Sequence, residues 1–255
     1  MPTGLGGEQM WLCPSLDDSA NDISGNGNNG TYSLGMGTIA ASGSGGTRAY
    51  DFDGFSANIV TLYADTSTTS TGVFTMSCWV KYDSVVATSA MMSGNVQTNK
   101  TGLSLYFDVY ASSRGHRALM NPKVASNYTG LVDAGDRDST TTGTWYHVAY
   151  TGDGTTARLY VNGTEVDSAA ITLFSSSSWD APLTIGCWYT GSNVKGYFLD
   201  GLIDDARVFN RTITPAEVVH LATSRGIEGG PSSDNFSPFS NAKYINRNYQ
   251  IPRFG

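Results

Sequence analysis

Short runs of β-branched and aromatic residues, each closed off by Gly, Asn, Asp or Ser, dominate this chain. They are ANIVTLY (57–63), VFTMSCWVKY (73–82), GLSLYFDVY (102–110), WYHVAY (145–150), ARLYVNG (157–163), LTIGCWY (183–189) and FLDGLIDDARVF (198–209). Segments of this length and composition, punctuated at fairly regular intervals by turn residues, read as strands of an all-β domain. Two turns fix local pairing. Gly152-Asp153-Gly154 separates WYHVAY from ARLYV, and Asn162-Gly163 follows. Asp-Gly and Asn-Gly favour tight hairpins because both residues tolerate positive φ, so three consecutive strands are expected to be antiparallel. In VFTMSCWVKY the period of two puts Phe74, Met76, Cys78 and Val80 on a core face and Thr75, Ser77, Trp79 and Lys81 on the other.

Other segments are not strands. Residues 17–30, DDSANDISGNGNNG, are a turn-rich loop. Thr214-Pro215-Ala216-Glu217 predicts a helix with an N-cap, a proline in the first turn and a Glu closing a capping box, ending near Gly226. Beyond it, GIEGGPSSDNFSPFSNAKYINRNYQIPRFG is too rich in Gly and Pro to fold alone and too aromatic for an inert linker. The expected organisation is one domain over 1–226 and an extended arm over 227–255.

Charge narrows the partners. Fifteen basic against 22 acidic residues give a net charge of −7, and no Lys/Arg cluster is present to neutralise phosphates, which argues against nucleic acid. No apolar run reaches the ~20 residues of a spanning helix, so no membrane insertion is expected. The first basic residue is Arg48, so the N-terminus as written lacks the charged start of a secretory signal. Cys13, Cys78 and Cys187 are an odd number, two of them inside apolar runs, and read as buried free thiols suited to folding in a reducing cytoplasm.

DISGNGNNGTY (22–32), YDFDG (50–54), FTMSCWVK (74–81), WYHVAYTGDGTTARLYVNGTEV (145–166), LTIG (183–186) and GLIDDARVFNRTITPAEVVHLA (201–222) together resemble the laminin-G-like domains of the concanavalin A-like superfamily. The resemblance runs from Trp11 to Ala222. It implies a concanavalin A-like jelly-roll sandwich of two antiparallel sheets, with one short C-terminal helix and an extended tail. Members bind sugars or proteins, form parts of enzymes, or serve as structural modules.

Three sets of residues are candidates. The resemblance implies a structural calcium where the N-terminal loop meets the last strand, here through Asp22, Asn28 and Asp204; simple alternation places Asp204 with Leu202, Ala206 and Val208, and the metal-free alternative is that it accepts hydrogen bonds from the loop. Trp179, Trp188 and Tyr189 could offer flat faces to a glycan, or could pack within the sandwich. Phe236, Phe239, Tyr244, Tyr249 and Phe254 of the arm could form assembly contacts. Catalysis is not expected. The chain has only four Glu, the glycosidase pattern of paired carboxylates on one strand is absent, His147 falls in the WYHVAY strand where the resembling family often has a histidine, and no nucleophile motif accompanies His116 or His220.

The function expected from these features is non-enzymatic and adhesive. An adhesive jelly roll without a signal, with free thiols and a sticky arm, suits a virion surface accessory protein, either a capsid decoration or a head or tail fibre component. It would assemble in host cytoplasm with other virion subunits or with itself as a homo-oligomer, and could bind a cell-surface glycan. The alternative is a secreted, extracellular carbohydrate-binding module.

Overall fold

The computed structural model describes residues 4–33, 37–40, 48–63, 71–85, 87–94, 102–109, 115–121, 129–133, 140–171, 182–189 and 195–225. The strands are β1 (Glu8–Leu12), β2 (Gly30–Tyr32), β3 (Gly37–Ala40), β4 (Arg48–Asp53), β5 (Ile59–Thr61), β6 (Val73–Tyr82), β7 (Ser89–Ser93), β8 (Gly102–Asp108), β9 (Gly115–Asn121), β10 (Thr129–Asp133), β11 (Trp145–Asp153), β12 (Thr156–Val161), β13 (Thr164–Ala170), β14 (Thr184–Ile185), β15 (Trp188–Tyr189), β16 (Lys195–Gly196) and β17 (Asp200–Phe209). Helix α1 spans Pro215–Thr223.

An eight-stranded sheet runs β13-β12-β11-β6-β17-β4-β3, with β1 also paired to β17, and a seven-stranded sheet runs β10-β9-β8-β7-β14-β5-β2. Strands β15 and β16 form a separate ribbon. The described pairings within both sheets are antiparallel. This is the two-sheet sandwich expected from the sequence.

The core lies between the sheets because each inner face follows the period of two. Phe74, Met76, Cys78, Val80 and Tyr82 of β6 are fully buried with Leu103, Leu105 and Phe107 of β8 and Ile185 of β14. Ring contacts add to the area term: Phe74 lies 4.9 Å from Tyr150, and Tyr82 lies 5.1 Å from Phe107. All three cysteines are buried as thiols.

The hairpins β11–β12 and β12–β13 form as expected. Asn162 and Gly163 both take positive φ, 50° and 82°, as their turn demands. The other turn differs from the expectation. Among its residues Gly154 has positive φ, whereas Asp153 contributes its side chain, with Oδ1 accepting the N–H groups of Thr155 and Thr156.

Strand β17 departs from simple alternation. Asp204 pairs with Trp79 and Arg207 with Ser77, so three steps on β17 face two on β6: a β-bulge, with Asp205 at φ 54°. The extra residue switches the faces. Ile203, Ala206 and Val208 enter the main core, while Leu202 packs with Ala49 and Trp145 on the far side of the sheet. Asp204 therefore does not share a face with Ala206 and Val208.

The outer face of the eight-stranded sheet is covered by α1. Thr214 caps the helix, with its hydroxyl accepting from Glu217 N–H while the Glu217 carboxylate accepts from Thr214 N–H. Val218, Leu221 and Ile213 pack on Ala149, Tyr160, Phe209 and Leu5, and the Trp79 indole donates to the Leu221 carbonyl at 3.0 Å.

Candidate ligand-binding face

Asp22 and Asn28 hold the N-terminal loop against β1. One Asp22 oxygen accepts the N–H groups of Trp11 (2.9 Å) and Ser24 (3.0 Å), and the other accepts the Asn28 N–H (2.8 Å). The Asn28 amide donates to the Gln9 carbonyl at 2.7 Å. Asp204 has a different set of partners. Its Oδ2 accepts from the Ser15 hydroxyl (2.8 Å) and from Arg225 Nη1 (2.9 Å), and its Oδ1 accepts from Asp205 N–H (2.8 Å) and the Cys13 thiol (3.6 Å).

These residues do not fit the calcium that the resemblance implies. Calcium takes six to eight oxygen ligands, but the oxygens of both carboxylates are already occupied by donors and a guanidinium lies against Asp204. Among the described residues no three His, Cys, Asp or Glu side chains are arranged to hold a metal. Burial, followed by the neighbouring Asp205 charge, pushes the Asp204 carboxyl up to about 6, against the opposing pull of Ser15 and Arg225.

An aromatic group stands on the outer face of the seven-stranded sheet. Along β8 the residues Leu103, Leu105 and Phe107 enter the core, which turns Tyr106 outward, where it is buried with Ala90 and Leu119 in a separate apolar group. Trp188 from β15 packs on that group, its ring 5.3 Å from Tyr106 in an edge-on arrangement. Tyr197 follows at 5.5 Å from Trp188. Tyr197 is 47% exposed and its backbone sits at φ 50°. A positive φ on a bulky residue is strained, and its cost is met by surrounding contacts; here the Tyr197 carbonyl accepts from Ala90 N–H at 2.8 Å, tying the ribbon to β7.

Polar groups adjoin the rings. Arg117 stands opposite Tyr106 across the β8–β9 pairing, and its Nη1 lies 2.5 Å from Asp108 Oδ2. The other Asp108 oxygen accepts from the Thr88 hydroxyl at 3.0 Å. Tyr106, Asp108 and Thr88 are buried beneath this group, so the surface open to stacking is the exposed Tyr197 ring and the half-buried Trp188, with the half-buried Arg117 opposite Tyr106 as a polar donor.

Of the three aromatics named from the sequence, Trp188 belongs to this group, Tyr189 pairs with Lys195 in the ribbon, and Trp179 lies outside the described residues. So do Phe236, Phe239, Tyr244, Tyr249 and Phe254. Sequence reasoning missed Tyr106, Arg117, Asp108, Thr88 and Tyr197. Alternation in GLSLYFDVY carried the signal for Tyr106 and Asp108; nothing local marked Tyr197.

Two histidines and one aspartate outside this group have defined surroundings. His116 is buried among Tyr82, Phe107 and Tyr146, and His147 is buried beside Trp79. Asp53 caps its own turn by accepting from the N–H groups of Phe55, Ser56 and Ala57, which holds its carboxyl well below the usual range.

A family model described as the concanavalin A-like lectin/glucanases superfamily matches residues 52–219. Comparison with the curated proteins finds no match. Among solved structures, domain 4 of AbnA, a GH43 extracellular arabinanase from Geobacillus stearothermophilus, in complex with arabinotriose, is similar with a TM-score of 0.63 and 18% identity, covering 84% of this chain and 98% of that one. The receptor binding domain of botulinum neurotoxin D is similar with a TM-score of 0.60 and 14% identity over 85% of this chain and 52% of that one. The binding domain of Paraclostridial Mosquitocidal Protein 1 gives 0.61 and 15%, over 85% and 52%. This chain thus spans about half the length of the two toxin domains.

Proposed function

Because the chain belongs to the concanavalin A-like lectin/glucanases superfamily, we propose that it is a non-catalytic glycan-binding domain whose ligand face is Tyr197 and Trp188 with Arg117, resting on the buried Tyr106, Asp108 and Thr88. The observation that carries this reading is the exposed Tyr197 ring, held at positive φ beside Trp188. A solvent-facing aromatic in a strained backbone is a feature of sites, where complementarity offsets the strain. The arabinotriose in the AbnA domain, a protein of the same fold, supports a sugar as the ligand class.

The layout of the two faces supports display on a surface. The aromatic group lies outside the seven-stranded sheet, while α1 and Arg225 lie outside the eight-stranded sheet. Arg225, the last described residue, thus lies on the side opposite the ligand face. This suits a virion surface accessory protein in which Phe236, Phe239, Tyr244, Tyr249 and Phe254 bind other assembly subunits and the sandwich meets a cell-surface glycan.

Glycan-array binding by the full chain, followed by titration with arabinotriose and with an oligosaccharide ending in N-acetylneuraminic acid, tests the ligand face. Tyr197→Ala is expected to weaken binding about tenfold, as loss of one stacked ring implies, with unchanged melting. The probe should remain uncleaved. An array without a binder, equal binding by Tyr197→Ala, or cleavage of the probe would reject the reading.

A further inference from the structure

Asp204 and Asp205 are adjacent and both buried; Arg225 serves Asp204, while Arg207 serves Asp205 and also lies 3.6 Å from Glu8. Asp205 accepts from Arg207 Nε at 2.9 Å and Nη2 at 3.1 Å, and from the Trp11 indole at 2.6 Å. The Arg207 guanidinium lies 3.9 Å from the centre of the Trp11 ring. Asp204 repeats the arrangement with residues from elsewhere in the chain: Arg225 Nη1 at 2.9 Å, and a guanidinium 4.0 Å from the centre of the Trp145 ring. Arg225 and Asp204 are both fully buried.

Two adjacent carboxylates out of water need two positive charges, and burial strengthens both their repulsion and the attraction of a counter-ion. A divalent ion is one solution; two guanidiniums are another. Arg225 meets the requirement without an ion because its planar group stacks on Trp145 while donating to Asp204, a geometry a lysine ammonium does not reproduce. Ser15 and Cys13 supply further donors to the same carboxylate.

We infer that Arg225 is the built-in counter-ion of Asp204, filling the role of a divalent cation at the β17 bulge, so that the sandwich closes without metal and the root of the C-terminal arm is fixed to the sheet. Through Asp204 this residue ties the chain after α1 to Ser15 at the loop after β1, a separation of 189 residues between Ser15 and Asp204.

Thermal melts of the full chain in a chelator and in millimolar calcium chloride test the inference. The wild type is expected to melt at the same temperature in both. Arg225→Met should lower Tm by about 10 °C in either medium, because it leaves a buried carboxylate without its partner. Adding Asp204→Asn to that variant should recover part of the loss. A wild-type Tm that falls in chelator or rises in calcium overturns the inference, as does an Arg225→Met variant that melts like wild type. If Arg225→Met does not accumulate as folded protein, a terbium titration of the wild type decides, since Trp145 would sensitise an ion at Asp204. Absence of a saturable emission there supports the arginine; a saturable emission abolished by Asp204→Asn overturns it.

Discussion

His147 shows how one buried side chain sets part of the pH response. Its ring lies 5.5 Å from Trp79, and burial, followed by the Arg207 charge, lowers its titration from the usual 6.5 to about 3. The unfolded chain therefore takes up a proton below about pH 6.5 that the folded chain refuses until about pH 3, so His147 costs stability as pH falls through that window. Asp204 has the opposite sign. Its carboxyl is raised to about 6, so the folded chain binds this proton more tightly and gains stability as pH falls from above 6 toward the ordinary 3.8. Chemical denaturation of wild type and His147→Phe at about pH 7 and about pH 5 separates the two: the variant should gain about 2 kcal/mol relative to wild type on going to the lower pH. An unchanged difference between the proteins would mean that His147 is not held neutral. At this scale the cysteines and the inner residues of β6 were legible in the sequence, because burial there follows a local period of two. The partners of His147 and Asp204 were not, since they come from segments far apart in the chain.

Among the elements, β17 does most to organise the sandwich. One edge pairs with β6 over most of its length; the other pairs with β4 over residues 200–203 and with β1 over residues 206–209. The bulge at Asp204–Asp205 sits at this handover, turning the two carboxylates to their arginines while returning Ala206 and Val208 to the core. Asp205→Gly weighs two effects against each other. Glycine relieves the positive φ, worth about 1 kcal/mol, but it removes the bidentate partner of Arg207 and leaves that guanidinium only Glu8, at 3.6 Å, among the described carboxylates, costing about 3–5 kcal/mol. The variant should therefore be less stable by about 2–4 kcal/mol in urea unfolding, and a stabilised variant would show that backbone strain dominates. The helix cap and the Asn-Gly hairpin were legible because each is written in a few consecutive residues. The bulge was not, since a pair of aspartates within an otherwise regular strand carries no turn signal, and only pairing with β6 reveals the extra residue.

For the whole molecule, the separation of the two outer faces matters most. The candidate ligand group was only partly legible, Trp188 alone being named in advance, because Tyr106, Trp188 and Tyr197 come from three segments that only the folded sheet brings together. The aromatic group lies outside the seven-stranded sheet, and Arg225, the last described residue, lies outside the eight-stranded one. Light scattering on the full chain and on a chain ending at Gly226 tests the assembly role: the full chain should form a defined oligomer and the shorter one a monomer that melts alike, since Arg225 is retained. Two monomers of equal stability would remove assembly from the arm.

The place of β17 also bears on synthesis. A strand that spans residues 200–209 fills the middle of the eight-stranded sheet, so β6, β4 and β1 wait for it with open edges while most of the chain is being made. Emerging chains expose those edges to one another on crowded ribosomes. Closing the sheet requires contacts between the first and last parts of the sandwich, a non-local pairing of the kind that folds slowly. Holdase chaperones that shield the open β6 edge should therefore raise the yield of folded protein more than any change to the aromatic face.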